Sequence, residues 1–330
     1  MPDSDESREV DVAALAALKQ DVAFVAPLRK DVVVARGQDR VRFLNGVVTG
    51  NVAGTPVGGG THALLLTAKA HILSEMRIFV RADDLLLFVE EGEGARSAEA
   101  LARYAVMDDF TAEPAPALHA TAVLGPRAAA RLDAQGLPGS ALAAGPLWAH
   151  VDAGPLWVAR VRHLGVDGFW IVGTEAEVGR LVQALAAAGA PRLSPATGEA
   201  ARVAAGEPRW GREITDEYFP MEIGLGDAID YKKGCFLGQE PIVRIRDRGH
   251  TNWRLARVEL PPGAVVSPGE RLETDERPKA GKLTSVAAAG QPGAAALGVV
   301  HVSVPQGARV RIVRADGVVE GIVRDTAGAS

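Results

Sequence analysis

The only cysteine of the chain, Cys235, lies in the segment YKKGCFLGQEPIVRIRDRGH, residues 231–250. Lys232 and Lys233 precede it, and Gly234 would let the backbone turn tightly or approach a ligand closely. Neighbouring cations favour a thiolate, as would a helix N-terminus if FLGQE begins a helix. The segment therefore predicts a reactive thiol at Cys235, against the alternative that a lone cysteine is a small buried side chain.

The residues IVRIRDR after Pro241 alternate between apolar and polar types, which is typical of a β-strand. In a strand Arg244, Arg246 and Arg248 would share one face, with neighbouring arginines about 7 Å apart. Such a row, with Lys232 nearby, would suit a polyanion such as phosphates or a polyglutamate tail. The alternative is a solvated face whose arginines pair with acids. Stacking of nucleic-acid bases is poorly supported, because only 5% of the residues are aromatic and none is interleaved with these arginines.

Bulk composition excludes several classes of protein. The 330 residues carry a net charge of -5, so the chain as a whole has no polybasic signature. One cysteine cannot form an internal disulfide or by itself hold zinc or an iron–sulfur cluster, and the seven histidines show no ligand spacing. The N-terminus is acidic, and no apolar run reaches the roughly 20 residues that span a bilayer. We predict a cytoplasmic monomer without a metal site or a membrane segment.

The hydrophobic patterns predict an α+β fold rather than a parallel doubly wound sheet. Residues 1–8 are predicted to be a disordered lead-in, and residues 9–250 a region of helices and antiparallel meanders. In that region helices are expected over 10–19, 38–48, 94–104, 126–136 and 176–189, and strands over 23–28, 31–37, 61–67, 71–82, 84–91, 117–125, 155–161 and 168–174. Residues 251–330 show only short strands between Gly/Pro turns, which indicates a small β-barrel. Six strands are expected there, over 254–260, 269–273, 281–288, 295–302, 308–315 and 318–325. The cysteine segment would then lie where domains meet, a usual place for ligand sites.

A longer run around the cysteine resembles the signature K-G-C-[YF]-x-G-Q-E of the YgfZ-type folate-binding proteins. The run is Lys233, Gly234, Cys235, Phe236, Leu237, Gly238, Gln239 and Glu240, followed by Arg244 and Gly249. RVRFLNGVVTGNV resembles the family's F-L-x-G-x-x-T helix, RVAAGEPRWGREITDEYFPMEIGL the approach to the signature, and GKLTS its G-x-x-T-S. The family is related in fold to the glycine-cleavage aminomethyltransferase, the T-protein. The resemblance implies two ferredoxin-like lobes, intertwined around a central folate-sized channel, and a C-terminal small β-barrel.

The resemblance also implies which residues bind a tetrahydrofolate or a derivative. Arg202 matches the arginine that meets the pterin in the related transferases, since a guanidinium offers paired donors. Glu222 matches the Pro-x-Glu position, where a carboxylate could accept from an aminopyrimidine edge. Lys69, the retained residue of the family's P-K-G-R loop, and Arg244 complete the implied folate contacts. The simpler interpretations are a surface arginine at position 202 and a salt-bridged glutamate at position 222.

The implied function is that of a folate-binding accessory protein in iron–sulfur cluster assembly or repair. Its partners would be client enzymes or assembly factors, including tRNA-modifying enzymes and through them tRNA, and Cys235 with Lys233 would be its reactive pair. A folate-dependent aminomethyl transferase and a tRNA-binding module using the arginine row are the alternatives. The transferases' pterin-contacting glutamate is replaced by Phe169 or Trp170, and their catalytic aspartate has no counterpart in FVEEGEGARSAEAL, which argues against aminomethyl transfer.

Overall fold

The computed structural model of the protein describes residues 9–287 and 294–326. The predicted disordered lead-in, residues 1–8, lies outside the described residues. The described helices are α1 Val12–Gln20, α2 Arg40–Val47, α3 Gly94–Ala102, α4 Ala128–Asp133, α5 Gly139–Ala143, α6 Glu175–Ala187, α7 Pro195–Ala205 and α8 Gln239–Arg248. The strands are β1 Ala23–Val25, β2 Lys30–Arg36, β3 Gly60–Leu66, β4 Ile72–Val80, β5 Leu85–Glu90, β6 Thr111–Pro114, β7 His119–Leu124, β8 His150–Ala153, β9 Leu156–His163, β10 Val166–Gly173, β11 Trp253–Glu259, β12 Arg271–Glu273, β13 Gly281–Ala287, β14 Ala295–His301, β15 Arg309–Arg314 and β16 Gly317–Asp325.

The chain divides into two compact units, which are described separately. The sheet unit comprises residues 13–193 and 227–243, and the barrel unit comprises residues 1–12, 194–226 and 244–330. The division differs from the predicted boundary at residue 250, because α7 packs on β13 and β14 of the barrel. The cysteine segment accordingly belongs to the sheet unit up to residue 243.

The first sheet of the sheet unit is antiparallel, with the strand order β3-β4-β5-β2-β6. The elements β2, α2, β4, β5, α3 and β6 follow the βαββαβ order of a ferredoxin-like lobe, and β3 adds a strand at the β4 edge. One face of the sheet packs on α2 and α3 through apolar side chains such as Leu44, Leu65, Ile78, Leu87 and Leu101. The alternation of apolar residues along β3 and β4 places the remaining side chains on the opposite face.

The second sheet has the order β1-β7-β10-β9-β8 and packs on α4, α5 and α6. The elements β7, β9 and β10 with their helices repeat the ferredoxin-like arrangement, and β1 takes the place of the fourth strand. Because β1 precedes the first sheet in the chain, the two lobes are intertwined. Helix α6 begins with a capping box, since the Thr174 hydroxyl accepts from the Glu177 N–H and the Glu177 carboxylate accepts from the Thr174 N–H.

The two sheets contact each other through an aromatic cluster on their facing surfaces. The ring of Phe79 lies 4.9 Å from that of Trp157, and the ring of Phe88 lies 5.0 Å from that of Trp170 and 5.6 Å from that of Trp157. All four side chains are almost completely buried. Aromatic rings of this size bury a large apolar area, so the cluster is a principal contact between the lobes.

The C-terminal strands form a closed barrel with the order β11-β14-β13-β12-β15-β16, and all six were predicted. Its interior is filled by small and branched side chains, including Val258, Leu272, Leu283, Val300 and Ile312. Closure pairs the edge strands with each other and leaves neither open for association with another chain.

The segment IVRIRDR is a helix, and the predicted strand is wrong. α8 begins at Gln239, directly after Gly238, and Pro241 stands in its first turn, where a missing N–H costs nothing. The same residues that alternate also place Ile242 and Ile245 three apart, and Ile242 is fully buried. Residues two apart on a helix point in different directions, so Arg244 and Arg246 do not share one face as predicted. The short elements β6, β8 and α5 were not predicted, and neither was the longer helix α7.

Candidate functional site

Cys235 is exposed to solvent. It lies in the loop Asp230–Gly238, called here the cysteine loop, which connects a 3₁₀ turn at Gly226–Ala228 to α8. The alternative of a small buried cysteine is therefore wrong. Phe236, the next residue, is buried and anchors the cysteine loop within the sheet unit.

Lys233 fixes the cysteine loop to the end of α2. Its ammonium donates to the carbonyl oxygens of Val48 at 2.6 Å and Gly50 at 3.0 Å, and also to that of Asn45. These carbonyls at the helix C-terminus have few partners within the helix, so a cation is favourable there. Burial lowers the pKa of Lys233 to about 8, while Asp230 opposes that shift. The structure thus gives Lys233 a holding contact, and its catalytic role stays a prediction.

Asp230 and Gly238 fix the two ends of the cysteine loop. The Asp230 carboxylate accepts from the backbone N–H groups of Lys232 at 2.7 Å and Lys233 at 3.2 Å. The Lys232 hydrogen bond is the main reason that the pKa of Asp230 lies below its ordinary value. Gly238 has a φ of +79°, and a Cβ atom there would lie 2.4 Å from the Thr67 carbonyl oxygen. The requirement for glycine predicted at position 234 belongs instead to position 238, because Gly234 has open space around it.

Thr49 joins the start of the cysteine loop to the first sheet. Its fully buried hydroxyl donates to the Ala228 carbonyl at 2.6 Å and accepts from the Leu64 N–H at 2.8 Å. Its carbonyl accepts from the Asp230 N–H at 3.0 Å. Leu64 is the residue of β3 that pairs with Glu75 of β4. The loop is thereby tied to the strands that carry a group of charged side chains.

This group, called here the charged cluster, lies on the face of the first sheet opposite its helices. It consists of Lys30, His62, Glu75, Arg77 and Glu90. The Lys30 ammonium lies 2.8 Å from the Glu90 carboxylate and 3.8 Å from that of Glu75, and Glu75 also contacts His62 at 2.8 Å and Arg77. The relative solvent exposure of the five side chains lies between 9% and 25%. The protein therefore shields these charges from most of the solvent while leaving part of each side chain accessible.

His62 is neutral at neutral pH within the charged cluster. Burial, and after it the neighbouring Arg77 and Lys30, lower the pKa of His62 well below its ordinary value. Glu75 is consequently balanced by Arg77 and Lys30 rather than by an imidazolium. The charged cluster was not predicted from the sequence. The available signal was the alternation in SEMRIF, which sets Glu75, Arg77 and Phe79 on one face of a strand.

Trp170 lies beside the charged cluster on the second sheet. Its ring is 5.0 Å from that of Phe88, the residue that pairs with Arg77 across the first sheet. Among the described residues its buried indole N–H has no hydrogen-bond acceptor. An unsatisfied buried donor costs about 1–3 kcal/mol, so an acceptor supplied by a ligand would be favourable there.

Arg202, predicted to meet the pterin, is buried inside the barrel unit. Its guanidinium binds the Glu199 carboxylate at 2.7 and 2.9 Å, Glu213 at 3.2 Å and the Ser285 hydroxyl at 2.6 Å, and it also donates to the Glu207 carbonyl. Burial lowers the pKa of Arg202, but the hydrogen bond to Glu199 and the charge of Glu213 outweigh it and raise the pKa. Every N–H of the side chain has a protein partner. This placement corrects the predicted folate contact, because the guanidinium joins α7 to the barrel.

Glu222, predicted to hold an aminopyrimidine edge, is also buried and fully engaged. One carboxylate oxygen accepts from the N–H groups of Asn252 at 3.1 Å and Trp253 at 3.2 Å. The other accepts from the Phe219 N–H at 3.0 Å. Neither the predicted ligand contact nor the alternative of a lysine salt bridge matches these contacts. Glu222 attaches the 3₁₀ turn Pro220–Ile223 to the first barrel strand.

The other predicted cations lie at the surface. Lys69 is exposed on the turn 67–71, against which Gly238 packs, so this turn and the cysteine loop are neighbours. Lys232 is exposed, as are Arg244 and Arg246 of α8, and Arg246 pairs with Asp247 at 2.6 Å. The side chain of Arg248 lies outside the described residues. In the signature, Gln239 and Glu240 form the first turn of α8.

Neither a metal centre nor a membrane span emerges from the described part of the chain. No group of three or more His, Cys, Asp or Glu residues there could hold a metal ion. No described helix combines the length and apolarity needed to cross a bilayer.

Comparison with known proteins agrees with this architecture. The family model of the GCVT N-terminal domain matches residues 16–233, which end before Gly234–Glu240, so the finer resemblance of the signature stays a prediction. A protein named as a chloroplastic transferase in Arabidopsis thaliana is 27% identical over 290 residues, covering 85% of this chain and 65% of that protein. The aminomethyltransferase of Streptomyces avermitilis is 28% identical over 229 residues, covering 64% of this chain and 59% of that protein. The chain thus spans less than two thirds of the length of these two relatives.

A solved structure shows the same fold. Aminomethyltransferase T of the glycine cleavage system from Bartonella henselae superposes with a TM-score of 0.85, covering 95% of this chain and 88% of that one, at 19% identity. The predicted T-protein-like α+β fold with a C-terminal barrel is confirmed. At this identity the superposition establishes the fold alone.

Proposed function

The chain belongs to the GCVT N-terminal domain family, and from this premise we propose that it binds tetrahydrofolate and presents Cys235 as a reactive thiol. Its task would be the assembly or repair of iron–sulfur clusters in client enzymes. The observation that carries the proposal is the exposed Cys235 on a loop fixed at both ends, by Asp230 and Lys233 on one side and Gly238 on the other. A held, exposed thiol can react with a partner without first reorganising its loop.

The charged cluster is the site that best suits the pterin. The aminopyrimidine edge of a pterin carries neighbouring N–H donors, for which the Glu75 carboxylate is a fitting acceptor. The partly exposed Arg77 and the neutral His62 offer further hydrogen bonds, and the unsatisfied Trp170 N–H would gain an acceptor. The cluster replaces Arg202 and Glu222, whose donors and acceptors are already used. Tetrahydrofolate, when bound, would supply a one-carbon carrier near a strand that Thr49 ties to the cysteine loop.

Aminomethyl transfer is the second candidate, and Glu75 favours it. A carboxylate able to position a folate nitrogen was expected to be missing, yet Glu75 places one on β4, within the sheet unit. Relatives at 28% identity are named aminomethyltransferases. The two candidates differ in whether Cys235 is needed, because methylene transfer to a folate nitrogen uses no thiol in the protein.

Genetic complementation tests the proposed role of the thiol. In cells that lack the native copy, wild type should restore the activity of an iron–sulfur-dependent enzyme and Cys235→Ala should not. Lys232→Met, which changes an exposed neighbour, is the matched control and should behave as wild type. Full rescue by Cys235→Ala would remove the thiol from the mechanism.

An in vitro assay distinguishes the two candidates. Purified protein with an aminomethyl donor and tetrahydrofolate should form no methylene-tetrahydrofolate. Formation of that product by Cys235→Ala but not by Glu75→Gln would establish the transferase instead.

A further inference from the structure

The sheet unit contains a recess whose lining includes no residue of the charged cluster. It has a volume of about 380 Å³ and is lined by residues from both sheets. Arg81, one of its lining residues, directly follows β4 and lies six positions after Glu75, which corresponds to about 20 Å of extended chain. Recesses of this size are within the range of small-molecule sites, roughly 300–1,000 Å³. The proposed folate site makes no use of it.

Four charged side chains line the recess in series. Arg36 lies 4.0 Å from Asp84, which binds Arg81 through two parallel contacts of 2.6 and 2.9 Å, and Arg81 lies 3.4 Å from Asp152. The central Arg81–Asp84 pair is bidentate and neutralises itself. The outer two side chains, Arg36 and Asp152, are 56% and 70% exposed, and within the described part of the chain their ion pairs are the long contacts of 4.0 and 3.4 Å. Arg36 and Asp152 therefore keep hydrogen-bonding capacity, one for an anion and the other for a cation.

The remaining lining is apolar. Leu118 and Trp157 contribute to it, together with four aliphatic side chains: Val34, Leu86, Leu156 and Val172. A ligand with a charge at each end and an apolar side chain between them would match both parts of the recess. Because the neutral pair separates Arg36 from Asp152, the two charges of the ligand must be farther apart than those of a single α-amino acid. One additional residue adds about 3.3–3.6 Å.

We propose that this recess binds a zwitterion of dipeptide length with an apolar side chain. The ligand carboxylate pairs with Arg36, its ammonium pairs with Asp152, and its side chain packs on Leu118 and Trp157. This assignment is independent of the proposed function in folate binding, since it uses other residues at the far end of β4.

Calorimetric titration with L-alanyl-L-leucine tests the assignment on the full chain. Wild type should bind one equivalent, and Arg36→Gln and Asp152→Asn should each weaken binding at least about tenfold. Arg29→Gln is the matched control, because Arg29 is 55% exposed and also has one long ion pair, to Glu91. It should bind as wild type. Ala115→Trp, which fills the recess from its rim, should abolish binding.

Several outcomes would overturn the assignment. Absence of saturable binding by wild type at millimolar dipeptide would refute the site. Equal binding by wild type and Ala115→Trp would place the ligand elsewhere. Unchanged affinity in both Arg36→Gln and Asp152→Asn, or equally tight binding of L-leucine or of the uncharged N-acetyl-alanyl-leucine amide, would refute the charge pairing and its spacing.

Discussion

The two lysines before Cys235 have different tasks although they are adjacent in sequence. Lys232 projects into solvent, whereas the ammonium of Lys233 is shared among three carbonyl oxygens at the end of α2. Sequence analysis treated both as cations near a thiol. In the structure the two lysines differ, because only Lys233 reaches the C-terminus of α2 and donates hydrogen bonds to carbonyl oxygens there. The loop that carries Cys235 is thus held in place by Lys233.

Replacing Lys233 should destabilise the protein much more than replacing Lys232. Lys233→Met removes the donor for three carbonyls and should lower the free energy of unfolding by about 2 kcal/mol. Lys232→Met should change it by less than about 0.5 kcal/mol. Urea unfolding of the two variants provides the measurement. Equal stability of the two would contradict the holding contact.

Lys233 should also make stability depend on alkaline pH. Its pKa falls from the ordinary 10.5 to about 8 on folding, so between these values the unfolded chain binds the proton more tightly. The contribution of Lys233 to the unfolding free energy therefore grows as pH rises through this window. The difference between wild type and Lys233→Met should be larger near pH 10 than near pH 7.5. A difference that shrinks with rising pH would show that the folded state raises this pKa.

At the scale of elements, one glycine of the signature sets the course of the cysteine loop. Gly238 has a left-handed backbone and touches the turn between β3 and β4, whereas a Cβ atom added at Gly234 would have no described atom within 4 Å. Gly238→Ala should cost at least about 1 kcal/mol and change the rate at which iodoacetamide alkylates Cys235. Gly234→Ala, the matched control, should leave both stability and alkylation nearly unchanged. The reverse order of the two variants would show that the loop is fixed elsewhere.

The buried network around Arg202 makes a different prediction for the barrel unit. Arg202→Met leaves the fully buried Glu213 without its cation and should cost about 3–5 kcal/mol. Arg212→Met, at an exposed position, should cost less than about 0.5 kcal/mol. Thermal unfolding would measure both. A loss of less than about 1 kcal/mol in Arg202→Met would contradict this structural role and favour the predicted ligand contact instead.

Sequence periodicity predicted the strands and helices that have a long apolar pattern, including all six barrel strands. It failed at α8, because IVRIRDR satisfies a strand period and a helix spacing equally, and tertiary burial of Ile242 decides between them. It also failed for Arg202 and Glu222. The type of a residue and its place in a motif do not show whether protein groups distant in sequence already occupy its hydrogen-bond donors or acceptors. Cys235 is exposed, as a reactive thiol requires, but its reactivity stays a prediction from its neighbours in sequence.

At the scale of the whole molecule, the two units of the T-protein-like fold differ in how far solvent reaches their partly or fully buried charges. In the barrel unit, Arg202 and Glu222 are saturated by protein partners. In the sheet unit, the charged cluster keeps part of its surface and lies on strands tied to the cysteine loop. The predictions of a cytoplasmic location and a monomeric state remain predictions. The account depends on folate being bound at the sheet unit.

Equilibrium titration of tetrahydrofolate against wild type and Glu75→Gln tests this claim most directly. Saturable binding of one equivalent by wild type, weakened at least about tenfold in Glu75→Gln, is the predicted result. Glu177→Gln, at the capping box of α6, controls for loss of a carboxylate elsewhere and should bind as wild type. Absence of saturable binding by wild type, or equal affinity of wild type and Glu75→Gln, would contradict the account.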